Sequence, residues 1–155
     1  MPVPATILYK RATFVTQLPV THLYAPSHCW LARTDDGRWR VGFTKFALRM
    51  LGELVDVQFD RPAGAAVQPG DILGSIEGFK AVSDLFCVGK GGFVGGNPAL
   101  KQDLESLTRD PYAAGWLYEF TGEPDPRCLE VNGYQDLLNA TIDRILAKQK
   151  ADETA

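Results

Sequence analysis

A chain of 155 residues, 45% hydrophobic and 23% charged, is long enough for one buried core and too apolar for a disordered polar polymer. Its formal charge of -3 arises without any basic run, which argues against a nucleic-acid surface. Cys29, Cys87 and Cys128 make an odd count with no Cys-x-x-Cys pair, no stretch approaches the ~20 apolar residues of a membrane span, and the N-terminus lacks a signal-peptide core, so a disulfide-free, cytoplasmic, membrane-free monomer is expected.

Residues 1–25 form an arm in which Phe14, Val15, Leu18 and Val20 are apolar and Pro2, Pro4 and Pro19 interrupt any helix. The arm is expected to lie across a main domain of residues 26–130. Residues 29–34 and 39–43 read as strands joined by Asp35-Asp36-Gly37-Arg38, whose Asp-Gly pair suits a tight hairpin turn. Thr44 is placed to cap a short helix over 45–51, and Gly52 to stop it in the left-handed conformation. Over 53–59 apolar and polar residues alternate, which predicts a half-buried strand with Val55, Val57 and Phe59 on one face. Residues 62–70 read as a loop, and two strands then surround Lys80. The pair Asn97-Pro98 predicts a helix through about residue 107, and 116–121 a closing strand. Within 131–155, Tyr134, Leu137, Leu138, Thr141, Ile142, Ile145 and Leu146 recur at helical spacing, predicting an amphipathic helix that ends at Lys148 and Lys150. Many short strands with turn signals between them and helices at the periphery imply a mainly β fold, a sandwich or flattened barrel.

The segment Ile76-Glu77-Gly78-Phe79-Lys80-Ala81-Val82-Ser83-Asp84-Leu85-Phe86 offers one primary amine between two apolar strand-like stretches. It resembles the lipoyl-attachment hairpin of the glycine cleavage system H-protein family, whose usual pattern there is Glu-Ser-Val-Lys-Ala-x-Ser-Asp. The resemblance runs from about Ser27 to about Phe120. Before the lysine it takes in Ser27-His28-Cys29-Trp30, Val41-Gly42-Phe43-Thr44, Leu51-Gly52-Glu53-Leu54-Val55 and Pro69-Gly70-Asp71. After the lysine it takes in Gly91, Asn97-Pro98-Ala99-Leu100, Asp110-Pro111-Tyr112 and Gly115-Trp116-Leu117. Each motif alone is weak, and their shared order and spacing carry the resemblance.

That resemblance implies two antiparallel sheets forming a sandwich or flattened hybrid barrel of the lipoyl-domain type, with lipoate amide-linked to Lys80 on an exposed turn. It implies a non-catalytic carrier, whose tethered arm shuttles a covalently held intermediate between partner enzymes. Glu77 and Gly91 fall where family members are recognised by the attaching enzyme, a lipoate ligase or a lipoyl/octanoyl transferase. Taken singly, Glu77 reads as a solvated carboxylate and Gly91 as a turn glycine. The family positions that contact the arm and its aminomethyl cargo fall on Ser27, Cys29 and Asp84, and the acidic residue usual at the middle position is here a thiol.

Loss of that carboxylate removes a charge-assisted contact worth about 1.5–3 kcal/mol where partly buried. A thiol beside the arm suits sulfur exchange instead. With Gly78-Phe79 in place of the usual Ser-Val, and Val88 in place of the usual proline, the chain is similar to the divergent lipoate-binding proteins linked to heterodisulfide-reductase-like sulfur oxidation. A sulfur intermediate and a heterodisulfide-reductase-like complex are therefore expected. Aminomethyl carriage among the glycine cleavage enzymes is the alternative, with dihydrolipoyl dehydrogenase as a further partner. Cys29 reads equally well as a small buried hydrophobe. The glycine-rich stretch 89–96 lacks the Gly-Lys-Ser/Thr ending of a phosphate loop and reads as a bulged strand pair or a close approach by a partner. An unmodified binding module stays open. A Schiff-base lysine is remoter, since that role needs a desolvated amine. Biotin attachment lacks its Met-Lys-Met setting, and the histidines and cysteines lack metal-ligand spacing.

Overall fold

In the computed structural model, which describes residues 5–154, the arm is an antiparallel hairpin. Its strands, β1 (Thr6–Arg11) and β2 (Phe14–Pro19), pair so that Arg11 faces Phe14, leaving Ala12-Thr13 as a two-residue turn with Ala12 at φ 53°. Burial alternates along β2: Phe14 and Leu18 turn inward while Val15 faces solvent. Pro19 ends the strand, where its missing N–H costs little. Pro2 and Pro4 lie outside the described residues.

The next elements are β3 (Leu23–Tyr24), β4 (Cys29–Arg33), β5 (Trp39–Phe43), α1 (Lys45–Leu51), β6 (Leu54–Phe59), β7 (Ala66–Val67), β8 (Ile72–Gly78), β9 (Val82–Phe86) and β10 (Gly89–Gly96). A 3-10 turn (Pro98–Lys101), α2 (Ser106–Arg109), β11 (Trp116–Pro124) and α3 (Val131–Thr154) complete the chain. One sheet runs β3-β4-β5-β11-β10-β7, the other β6-β8-β9, and every pairing is antiparallel. Among the described residues neither sheet closes on itself, so of the two expected forms the structure is the sandwich.

Two cores follow from this arrangement. The main one gathers Leu31, Val41, Leu73, Ile76, Leu85, Phe93, Leu117 and Phe120, drawn from both sheets. A second one gathers Phe14, Leu18, Trp30, Phe46, Tyr134, Leu138 and Ile142, where the hairpin, α1 and α3 meet β4. Leu31 and its neighbour Trp30 belong to different cores, so β4 is buried on both faces and lacks the polar alternation of a half-exposed strand. Helix α1 bridges the cores: Leu48 and Leu51 enter the first and Phe46 the second.

Four expectations are corrected. Val55 is 44% exposed because β6 bulges there: Leu54 pairs with Gly78 and Asp56 with Glu77, leaving Val55 as the extra residue. The Asn97 cap starts only a 3-10 turn, and the chain breaks at 102–105 before α2, so that both Leu100 and Leu107 reach the main core. The loop 62–70 contains β7, which pairs Val67 with Gly91. Helix α3 runs past Lys148 and Lys150 to Thr154, because Ala151, Asp152 and Glu153 contain no breaker. No helix among the described residues is long and apolar enough to cross a membrane.

Candidate functional site

Strands β8 and β9 put Glu77 opposite Val82 and Ser75 opposite Asp84, so Phe79, Lys80 and Ala81 form the connecting turn. The Gly78 N–H donates to the Ala81 carbonyl at 2.9 Å and closes it. Two further backbone bonds hold the turn from outside: Phe79 N–H to the Glu53 carbonyl and Lys80 N–H to the Leu51 carbonyl, each 2.9 Å. The root of the lysine is therefore tied to the end of α1 and the start of β6.

Gly52 makes that contact possible. Thr44 caps the start of α1 through a bond from the Ala47 N–H, and Gly52 ends the helix at φ 75°, ψ -162° with its N–H on the Leu48 carbonyl. A Cβ at residue 52 would lie 2.8 Å from Lys80 Cγ, so the bare glycine also provides the bed on which the lysine stem rests. Beyond the stem the Lys80 side chain is exposed, with its Nζ 3.5 Å from the Arg49 carbonyl. Phe79 and Val82, 76% and 71% exposed, flank it. An accessible amine on a turn fixed by three backbone hydrogen bonds fits the attachment of an acyl group such as the lipoyl group implied by the sequence.

The other sequence-derived residues are spread more widely. Glu77 is exposed on β8, three positions from the lysine. Gly91 belongs to the other sheet, at φ 152°, where a Cβ would fall 1.8 Å from the Thr121 carbonyl oxygen; close strand approach accounts for the glycine there. The rest of the glycine-rich stretch is β10, with a bulge between Phe93 and Gly95. Asp84 is exposed on β9, and Ser27 is exposed in the turn before β4. Cys29 does not share that exposure: at 7% it packs in the main core, and burial pushes its thiol up to about 12, with a Ser27 hydrogen bond pulling weakly the other way. Burial likewise raises Cys87, and raises Cys128 to about 11. All three are protonated thiols at neutral pH, which fits the reading of Cys29 as a small core residue.

One cluster escaped the reading of the sequence. Tyr134, counted there only as part of an apolar stripe, places its hydroxyl 2.8 Å from Thr44 Oγ1 and 2.9 Å from His28 Nδ1. His28 sits at φ 69° beside the Phe46 ring, 4.7 Å between centroids, and burial lowers its pKa to about 4. The neutral imidazole, the α1 cap and α3 are thus locked together at the opposite end of α1 from the lysine. A Tyr at a buried helical position with a free hydroxyl is the only signal that pointed to it.

A family model described as Glycine cleavage H-protein matches residues 22–139. The chain is 34% identical over 124 residues to a Glycine cleavage system H protein of Corynebacterium jeikeium, covering 78% of this chain and 97% of that protein. A Glycine cleavage system H protein of Citrobacter koseri is also 34% identical, over 128 residues, covering 80% and 98%. The crystal structure of a glycine cleavage system H protein from Mycobacterium marinum superposes with a TM-score of 0.70 at 35% identity, covering 79% of this chain and 99% of that one.

Proposed function

We propose a function from one premise: this chain belongs to the glycine cleavage H-protein family. It acts as the lipoyl carrier of a glycine cleavage system, with lipoate amide-linked to Lys80, and it moves an aminomethyl fragment between partner enzymes while catalysing no step itself. The observation that carries this reading is the exposed amine of Lys80 on a turn bonded to the end of α1 and to Glu53, just ahead of β6. When attached, lipoate supplies reversible thiol–disulfide chemistry at the end of a mobile limb.

This chain's own residues provide the rest. The Lys80 backbone fixes where the limb starts, and the glycine bed at residue 52 lets the stem leave the surface in one direction. Glu77, on the same hairpin, and Gly91 are the residues by which a lipoate ligase or a lipoyl/octanoyl transferase selects the lysine. The exposed faces of Phe79 and Val82 give that enzyme apolar contact. Ser27 and Asp84, both exposed, offer oxygen atoms to a cationic cargo. The partners are glycine decarboxylase, the aminomethyl-accepting transferase and dihydrolipoyl dehydrogenase.

Aminomethyl cargo takes precedence over the sulfur cargo expected from Cys29 on two grounds. The relatives are named for glycine cleavage. The Cys29 thiol is buried and protonated, so the accessible sulfur on which the other reading rested is missing at that position.

Intact-mass measurement after expression with lipoate tests the carrier role. A single lipoyl addition on the native chain, abolished in Lys80→Arg, is expected; absence of any addition to the folded native chain removes the reading. Incubating the lipoylated protein with glycine decarboxylase and glycine tests the cargo, and failure to load returns sulfur to first place.

A further inference from the structure

Strand β1 keeps one edge uncovered. In an antiparallel pair, residues whose main-chain groups bond across to the partner strand alternate with residues whose groups point away. The Val20 N–H donates to the Ala5 carbonyl at 2.9 Å, which fixes that phase along the hairpin: Ile7, Tyr9 and Arg11 bond to β2, while Thr6, Leu8 and Lys10 turn their N–H and C=O groups outward. On β2 the corresponding outward carbonyls are taken, Val15 by Lys45 Nζ at 2.8 Å and Pro19 by Tyr24 Oη at 2.7 Å. Among the described residues no hydrogen bond from elsewhere reaches the outward main-chain groups of Thr6, Leu8 or Lys10. Leu8 stands at the middle of this edge, 63% exposed, on the face opposite to the buried Tyr9. Neither a proline nor a bulge guards the strand, and its lysine lies two residues off centre.

We propose that a second copy of this chain covers the edge, β1 pairing antiparallel with its own counterpart about a two-fold axis at Leu8. The strand is self-complementary in that register. Leu8 faces the second copy's Leu8, Thr6 faces Lys10, and Ile7 faces Tyr9, so apolar groups meet apolar groups and no like charges are opposed. Each outward pair exchanges two main-chain hydrogen bonds, and the two hairpins become one four-stranded sheet. Strand β9, at the edge of the smaller sheet, shows the contrast: paired about its centre it would set Asp84 against Asp84. In the β1 dimer the two hairpin tips point in opposite directions, roughly 27 Å apart along the strands. Lys80, which borders the same groove as Ala12 and Thr13 at the tip, stays exposed on each copy. Residues 6–19 precede the matched stretch 22–139, so this interface belongs to the chain's own addition and does not depend on the carrier reading.

Sedimentation velocity of the full chain over a concentration series reads the mass, and cysteine cross-linking reads the register. The mass is expected to rise from 17.0 kDa toward twice that value with concentration. Leu8→Lys sets two ammonium groups opposite each other at an exposed position, and should move the association midpoint about tenfold or more to higher concentration. Leu8→Cys should form an intermolecular disulfide under mild oxidation, because the paired Cα atoms would lie about 5.5 Å apart, with the native chain and its own thiols as background. Lys10→Cys should link poorly to itself and readily to Thr6→Cys when the two are mixed. A native chain that stays at 17.0 kDa at every concentration overturns the proposal. So does a dimer whose Leu8→Cys form links no faster than its Lys10→Cys form, since the contact would then lie on another face.

Discussion

Replacing Gly52 with alanine tests whether the lysine root is built as described. At a compatible position a Gly→Ala change stabilises by about 0.4–1 kcal/mol, because it restricts the unfolded chain. Residue 52 is not compatible. Its φ of 75° and ψ of -162° lie in a region almost reserved for glycine, where a side chain costs about 1–3 kcal/mol. The new Cβ would also meet Lys80 Cγ at 2.8 Å and Cδ at 3.2 Å, atoms near the base of the stem that are hemmed in by the turn's backbone bonds. The sign therefore reverses, and a loss of about 1–3 kcal/mol lowers Tm by about 2–12 °C for a domain of this size. Urea unfolding of native, Gly52→Ala, Lys80→Ala and the double variant separates the two causes. Removing the lysine stem should relieve part of the penalty, giving a coupling of about 0.5 kcal/mol or more. A Gly52→Ala protein as stable as the native one refutes the strained cap, and zero coupling refutes the bed beneath the lysine.

Tyr134→Phe removes the hydroxyl between Thr44 and His28, leaving buried polar atoms unpaired; a loss of about 1–3 kcal/mol is expected in urea unfolding. His28, held neutral with its pKa lowered to about 4, binds fewer protons folded than unfolded, so stability is full above about pH 6.5 and falls as pH drops toward 4, by about 1.4 kcal/mol per unit of pKa difference. His22, also lowered by burial, acts in the same direction, and His28→Asn, which tolerates the left-handed backbone, isolates the His28 part as a flatter stability-against-pH curve. Cys29, pushed up to about 12 and 7% exposed, should resist iodoacetamide at pH 7.5 in the native protein and react once urea unfolds it, as read by mass spectrometry.

Elements governed by local chemistry were legible in the sequence: the Asp-Gly turn between β4 and β5, the Thr44 cap, the Gly52 stop and the lysine hairpin each depend on residues adjacent in the chain. What escaped depends on partners far away. The hairpin of residues 6–19 turns on Ala12-Thr13, which carries none of the Gly or Asn that marks such turns, so only its prolines spoke, and they spoke against helix alone. The bulge at Val55 is set by how β6 pairs with β8. Cys29, Trp30 and Leu31 read as a plain apolar run; that Trp30 is buried on the far side depends on the hairpin and α3 covering that face of β4, whereas the burial of Cys29 in the main core was one of the two readings open from the sequence.

A carrier needs a limb that moves and a root that does not, and on the proposed attachment at Lys80 the two separate at a single residue. The Lys80 backbone is bonded to Leu51, so its position is that of α1. Helix α1 is in turn held at its start by the Thr44–Tyr134–His28 cluster and along its side by the hairpin, through Lys45 Nζ on the Val15 carbonyl at 2.8 Å and Arg49 on Thr13. Residues 6–19, beyond the matched family stretch, therefore brace the helix that positions the lysine. On the proposed attachment at Lys80, loosening that brace would blur where the limb begins, which makes the hairpin part of what holds the root in place.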